Sequence, residues 1–483
     1  MEQKAGAQIS QKAFLQSVGI LLSLMIVAGI LTRIVPAGMF DRNLVEGREL
    51  IDPDSFRFIE KPVYPVWRWI TAPLEVLWSA DGLTVITIIV FLLRVGVAFA
   101  IMDKSGILKY SLGRIVQRYS GKKYSLLLII SFFFMLLGAF FGIFEEVVPL
   151  VPLMIALSYS LGWDALVGLG MSILATNMGF SAAITNPFTI GVAQKIAQLP
   201  LFSGAWLRVF IFIGIYIILS FFLVRYAKRI ERTPEASPVF LEDQTTRLRY
   251  AHLRLDNSDI EQNNYRKSIT WLFVFIVLIL AVLFSGPFIP ALSGYTMPIV
   301  GILFFLAGIG CGLFAGMGGK KLVKAIIDGL SGIAPAIPLI LMAASIKYIV
   351  AQGGIIDTIL YRISLPLAQT SPYLALILIY ILALVIEFFI SSGSAKAFLL
   401  IPILVPLADM VGITRQLTVT AYCFGDGFSN LAYPTNPVLL ICLGLSMVSY
   451  PRWLKWTLPL WLWVGLLTLL FLWIGMIIQY GPF

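Results

Sequence analysis

The chain has 483 residues, is 59% hydrophobic and 12% charged, and carries a net charge of +10. Its apolar runs are too long for barrel strands, so the composition excludes a soluble domain and a β-barrel and leaves an all-α polytopic membrane protein. The single histidine (His252, in a polar loop) and three scattered cysteines (Cys311, Cys423, Cys442) argue against a His-based triad, a His-ligated metal and a disulfide frame. No basic patch interleaved with aromatics points to nucleic acid; the positive charge reads as cytoplasmic loops facing anionic lipid.

A polar head precedes a first span over 13–35, which lacks a cleavage site close behind it and ends at Pro36-Ala-Gly38. The loop 39–66 has more acids than bases and is placed outside, and 64–80, with several tryptophans, reads as an interfacial helix. An apolar run with Arg94 covers 84–102, a basic amphipathic stretch covers 104–123, and a span covers 123–141. Then come Gly142-Ile-Phe-Glu-Glu146 and a short run marked by Pro149 and Pro152, so 142–161 is expected to form a re-entrant hairpin. A broken helix over 164–199 and a span over 205–226 follow.

Between Arg225 and Lys267 lie nine Lys/Arg and seven acids, a cytoplasmic linker by the positive-inside rule. It divides the chain into 1–231, a linker 232–266, and 267–483. The second half repeats the order: runs at 268–288, 295–316 and 333–350, an amphipathic stretch at 354–370, and a span at 372–391. A second hairpin over 391–411, a second broken helix over 415–448 and a last span over 456–479 complete it.

The chain is organised around Gly179-Phe-Ser-Ala-Ala-Ile-Thr-Asn-Pro187, which returns as Gly427-Phe-Ser-Asn-Leu-Ala-Tyr-Pro-Thr-Asn-Pro437. Pro187 and Pro437 each interrupt one helix and start another, with Asn as cap and Pro at the first helical position. A shift of 250 residues also aligns Pro152 with Pro402, Gly162 with Gly412 and Trp206 with Trp456. A duplicated unit with paired helix breaks is typical of secondary transporters, usually with the copies inverted across the membrane. The apolar runs counted between the hairpins are even in number, which would make the copies parallel. Treating 84–102 and 333–350 as partly inserted restores inversion and leaves about nine to twelve crossings.

Four features, Ile34-Val-Pro-Ala-Gly-Met-Phe40, Gly142-Ile-Phe-Glu-Glu146, the Thr-Asn-Pro pair and Phe424-Gly-Asp-Gly-Phe-Ser-Asn430, carry a family resemblance. The chain resembles the ion transporter superfamily and, within it, the YfcC-like branch of the C4-dicarboxylate anaerobic carriers. The resemblance implies a carrier of small carboxylates or amino acids in the bacterial inner membrane. It also implies two hairpins meeting two broken helices at the substrate, and elevator-type movement of that core against a homodimeric scaffold. The better-studied symporters carry Ser-Asn-Thr at the hairpin tips, where this chain has Gly-Ile-Phe-Glu-Glu and Ser-Ser-Gly-Ser-Ala-Lys.

Ionisable groups at membrane depth are costly and mark functional candidates; here they are Arg94, Glu145, Glu146, Lys347, Glu387, Lys396 and Asp426. Glu145 or Glu146 is expected to receive a substrate amine or a coupling proton. Lys396, with Ser391, Ser392, Gly393 and Ser394 and the helix starts after Asn186 and Asn436, is expected to receive a carboxylate. Ser181, Thr185, Asp426 (as an amine or cation ligand), Ser429, Asn430 and Thr435 complete the expected substrate shell. Asn177, Ser181, Asn186, Asp426, Asn430 and Asn436 are the candidates for a coupling Na⁺ or H⁺, and no other cofactor is indicated. The blander readings pair Glu146 with Lys396 and Glu387 with Arg94, and make Asp164 and Asp409 caps. Three acids against one lysine favour a ligand bearing an amine as well as a carboxylate, with a C4-dicarboxylate next. The overall reading is a secondary active carrier, symporter or antiporter. The alternatives are an intramembrane enzyme, for which no reactive set is evident, and an ion channel.

Overall fold

In lipid every backbone polar group must be satisfied within the chain, so the long apolar runs can only be helices. The computed structural model describes residues 11–45, 48–119, 121–244, 263–285, 289 and 295–481; part of the polar linker, with His252, lies outside the described residues. Ten helical segments among the described residues are long and apolar enough to cross a bilayer, which makes this a multi-pass membrane protein.

The first is α1 (Gln11–Ile34). A short antiparallel ribbon follows it, with β1 (Gly38–Met39) paired to β4 (Arg57–Phe58) and β2 (Arg42–Val45) to β3 (Arg48–Ile51). Helix α2 (Arg68–Glu75) follows, flanked by the exposed Trp67 and Trp78. Within it the Arg68 guanidinium bonds Glu75 and holds that carboxyl below its ordinary range, with Thr71 and Tyr348 adding to the effect.

Helix α3 (Gly82–Lys104) is 23 residues long, and the apolar segment Gly319–Gln352 runs to 34. Both have the length and apolar composition of a membrane crossing. A turn at Ala334-Pro335 divides the second segment into two helices, Gly319–Ile333 and Ala336–Gln352; Pro335 is the N-cap of the second and Pro338 lies in its first turn, where backbone N–H groups have no helical partner anyway.

The other helices of the first half are α4 (Ile107–Arg118), α5 (Lys123–Phe141), α6 (Val151–Ser160), α7 (Ala165–Leu169), α8 (Ala175–Ala182), α9 (Val192–Ile196) and α10 (Ala205–Arg232). Those of the second half are α11 (Asn263–Ser285), α12 (Thr296–Phe314), α13 (Gly319–Ile333), α14 (Ala336–Gln352), α15 (Ile356–Ser364), α16 (Pro372–Glu387), α17 (Gly393–Met410), α18 (Arg415–Ser429), α19 (Pro437–Ser446) and α20 (Tyr450–Ile477). The run expected to span at 372–391 is only the 16-residue α16, short for a crossing.

Two packing groups emerge. In one, α3 lies against α12 and α13, α11 against α12, and α1 against α14. In the other, α5 lies along α8, α16 along α18, and α8 crosses α18. The close approaches of the second group require glycine. A Cβ on Gly179 would stand 1.8 Å from the Met135 carbonyl oxygen, and one on Gly427 would stand 2.6 Å from Ser181 Cα. The segment from α7 to α8 is buried throughout, whereas α10 and α20 present Phe210, Ile217, Phe221, Leu462, Trp463 and Leu466 outward.

Charges that the sequence places at membrane depth find partners at the edges of this architecture. Lys347 pairs with Asp81 at 2.7 Å. Arg42 donates to both carboxylate oxygens of Asp357, at 2.8 and 2.9 Å, and Phe56 stacks on Tyr361 at 3.9 Å, so the ribbon is fastened to α15.

Candidate functional site

Each Thr-Asn-Pro triplet separates two helical segments, for a local reason. After α8, Ala183 adopts the left-handed conformation (φ +46°); Asn186 Oδ1 then accepts from the Phe188 and Thr189 N–H groups at 2.9 and 3.3 Å, with Pro187 at the first position. After α18, Asn436 Oδ1 accepts from Val438 and Leu439 at 2.9 and 3.4 Å, with Pro437 at the first position. Both asparagines are buried (0% and 3% exposed), so each helix start is capped from within.

Each break also holds a neighbour. Thr185 donates from its N–H to Ala139 O at 3.1 Å and from its hydroxyl to Phe140 O at 3.0 Å, closing the end of α5. There Gly142 turns left-handed (φ +66°), and a Cβ on it would stand 2.2 Å from Asn186 Oδ1. The first tip therefore rests on the first break. In the second break Asn436 Nδ2 donates to Asn430 Oδ1 at 3.3 Å.

The two tips and the second break meet at a cavity of about 330 Å³. Gly142, Phe144, Glu145 and Glu146 line it from the first tip, Ser391, Ser392, Gly393 and Ser394 from the second, and Asn430 from the second break. Phe180 and Phe188 flank it from the first break, and Thr84, Thr87 and Thr296 come from the starts of α3 and α12. Among the described residues, Glu145 and Glu146 are the only charged side chains on its wall. The helix start that faces the cavity is that of the 18-residue α17, where Ser392 Oγ accepts from Ala395 N at 3.4 Å.

Other residues expected at the site lie elsewhere. Ser181 and Ser429 spend their hydroxyls on helical carbonyls, Asn177 O and Gly425 O, both at 2.7 Å. Asn177 and Thr435 side chains are buried and make no hydrogen bond among the described residues.

Lys396 does not line the cavity. It is buried beneath the second tip (0% exposed), 2.6 Å from Asp426 Oδ1 and in an ion pair with Glu387. Glu387 therefore pairs with Lys396 and not with Arg94, and Lys396 does not pair with Glu146. The reason is position: Lys396 sits one turn into α17, on the side that packs against α16 and α18. Asp164 caps α7 through Val167 N at 3.0 Å, whereas Asp409 pairs with Arg415 at 2.8 Å instead of capping.

The sequence reading passed over Arg208, on α10. It is wholly buried and donates to Ile184 O at 3.0 Å in the first break, and to Phe202 O at 3.2 Å and Ser203 O at 2.9 Å in the turn before α10, where these carbonyls have no helical partners. An arginine four residues into an apolar span was the available signal. Arg208→Met is expected to lower thermal stability, since each buried carbonyl left without a donor costs about 1–3 kcal/mol. A melting curve of the purified protein equal to wild type would show that water replaces the guanidinium.

Residues 14–479 match the C4-dicarboxylate anaerobic carrier (DcuC) family. The chain is 30% identical over 477 residues to the "Putative basic amino acid antiporter YfcC" of Escherichia coli, covering 90% of this chain and 91% of that one. It is 26% identical over 378 residues to an uncharacterized protein of Haemophilus influenzae, covering 78% and 72%. Among solved structures, the Alcanivorax borkumensis YdaH transporter aligns over 97% of this chain and 100% of that one, at 19% identity and a TM-score of 0.40. With a family match from end to end and a relative of this similarity over nine-tenths of its length, the chain belongs to the C4-dicarboxylate anaerobic carrier family of membrane transporters, in its YfcC-like branch.

Proposed function

We propose that this protein is a secondary active carrier of an amino acid or related amine-bearing carboxylate, bound between the two hairpin tips. One observation carries the reading: among the described residues, the only charges on the cavity wall are two carboxylates, Glu145 and Glu146. An ammonium or guanidinium group offsets one of these charges, and a basic amino acid, which carries two cationic groups, offsets both. The substrate's carboxylate goes to the opposite wall, where Ser391, Ser392 and Ser394 surround the start of α17 and its backbone N–H groups. A C4-dicarboxylate would bring like charges against both glutamates with no cation on the wall to offset them, so it ranks second despite the family's name. The name of the Escherichia coli relative, which specifies basic amino acids, favours the same choice. A cavity of about 330 Å³ suits one small metabolite.

The halves on either side of the linker act as two repeats, inverted across the membrane. The hairpins and broken helices form the moving core, and the group built on α3, α12 and α13 forms the scaffold of a homodimer in the bacterial inner membrane, with the 232–266 linker cytoplasmic. Elevator movement then carries the cavity from one side to the other.

A thermal-shift measurement on the purified protein tests the substrate. Arginine or lysine at a hundredfold excess over Kd is expected to stabilise by about 2.7 kcal/mol. The gain is expected to vanish in the Glu145→Gln/Glu146→Gln double variant. Stabilisation by succinate or fumarate, with none by arginine or lysine, would overturn the amine reading.

A further inference from the structure

Beneath the cavity lies the cluster of Glu387, Lys396 and Asp426. It joins three helices: Glu387 ends α16, Lys396 lies in the first turn of α17, and Asp426 lies in α18. All three side chains are at most 1% exposed. Lys396 is the only donor that reaches either carboxylate among the described residues: no backbone N–H, hydroxyl or guanidinium bonds them. Two ionised carboxylates on one ammonium would leave a net charge of −1 in an apolar core, and an uncompensated buried charge is among the costliest features a membrane protein can hold.

The neighbours do not supply the missing charge. Tyr422 gives its hydroxyl to Gly393 O at 2.5 Å, Tyr380 shares its own with Thr468, and Cys423 is a buried thiol. Of the charged side chains on the other helices packed against α17, Lys195 and Arg362 are exposed and Asp357 is held by Arg42.

We propose that Glu387, Lys396 and Asp426 form a proton-binding site in which the ammonium and one carboxylate stay paired while the second carboxyl carries the exchangeable proton. The ligand is a proton and not a metal cation, because the ammonium already occupies the place between the two carboxylates. Loading forms an O–H bond on the carboxylate as one on hydronium breaks; release reverses it and leaves the cluster at −1.

The site has a route to the cavity. A Cβ on Gly393, which lines the cavity, would stand 3.0 and 3.2 Å from the two Asp426 carboxylate oxygens. Only the width of a glycine separates the cluster from a substrate seated on the second tip. On the carrier reading, on which this role rests, arrival of a cationic substrate at Glu145 and Glu146 favours loss of the proton below, which makes the cluster the coupling element of exchange.

The test is infrared spectroscopy of the purified full-length protein at neutral pH, reading the carbonyl stretch that only a protonated carboxyl shows. Glu387→Gln and Asp426→Asn each leave one acid to pair with Lys396, so each is expected to lose one carboxylic-acid band relative to wild type. Difference spectra with no loss in either variant would overturn the proposal. Should either core variant fail to give a single gel-filtration peak, the Glu145→Gln/Glu146→Gln protein decides. It removes the cavity-facing acids and leaves the cluster untouched, so the band must persist in it, and its absence would overturn the site.

Uptake of radiolabelled arginine into proteoliposomes separates this from the carrier reading. The band without uptake of arginine, lysine or succinate would sink the carrier reading and leave the proton site standing. Uptake without the band would do the reverse.

Discussion

Asn436→Ala and Asn186→Ala are each expected to fold, lose about 1–2 kcal/mol of stability, and lose arginine uptake in proteoliposomes by at least about tenfold. The stability cost is that of a helix cap: each asparagine oxygen takes two backbone N–H groups at the start of the helix beyond the break. The larger loss in uptake follows from what the rest of each side chain holds. Asn436 Nδ2 fixes Asn430, which lines the cavity. Asn186 Oδ1 sits where only a glycine fits at the first tip, so it sets where Gly142, and with it Glu145 and Glu146, come to rest. Serine at either position keeps a capping oxygen but loses the amide. Asn436→Ser is therefore expected to recover most of the stability and little of the uptake. Full uptake in both alanine variants would show that the breaks do not position the cavity.

Gly179→Val is expected to be the most damaging single substitution in the core. A Cβ there would lie 1.8 Å from the Met135 carbonyl oxygen and 2.7 Å from its carbon, so α5 must move bodily away from α8. Backbone has no alternative rotamer, and the cost exceeds the roughly 1–3 kcal/mol typical of overpacking a side chain. Because α5 carries the first tip, the displacement also moves Glu145 and Glu146. Gly465→Ala, in α20, is the matching control: no atom lies within 4 Å of the added methyl, and a slight gain from helix propensity is expected. Gel filtration and melting curves of the two variants read the contrast. A Gly179→Val protein that is monodisperse and melts like wild type would show that α5 and α8 do not need this contact.

Membrane class and helix breaks were legible because their causes are local. An apolar run of membrane length has one solution in lipid, and a Thr-Asn-Pro triplet carries its own cap and its own helix stop. The cavity's acidic wall was legible for a similar reason, since Glu145 and Glu146 stand at a tip that the polar interruption after Phe141 announces. The exact helix ends were not. Pro335 and Pro338 look like breakers in the sequence, yet they fall at a helix start, where proline costs little. Arg208 was missed because most of its partners, on Ile184, Phe202 and Ser203, are carbonyls, and backbone acceptors leave no mark in a sequence; the remaining one, the Tyr480 hydroxyl, lies 272 residues away in the chain.

By itself the sequence determined that this is a polytopic helical membrane protein with two capped helix breaks and charged and serine-rich tips. Those properties arise within a few residues of one another. Only the tertiary structure decided which charges meet. Lys396 could have faced Glu146 across the cavity, or Glu387 could have met Arg94, and the hydropathy of each segment would be unchanged. Packing of α17 between α16 and α18 instead turns Lys396 inward onto Glu387 and Asp426, and leaves the cavity wall with acids alone. The deciding quantity is the cost of burying charge, which depends on what three separate helices bring to one point.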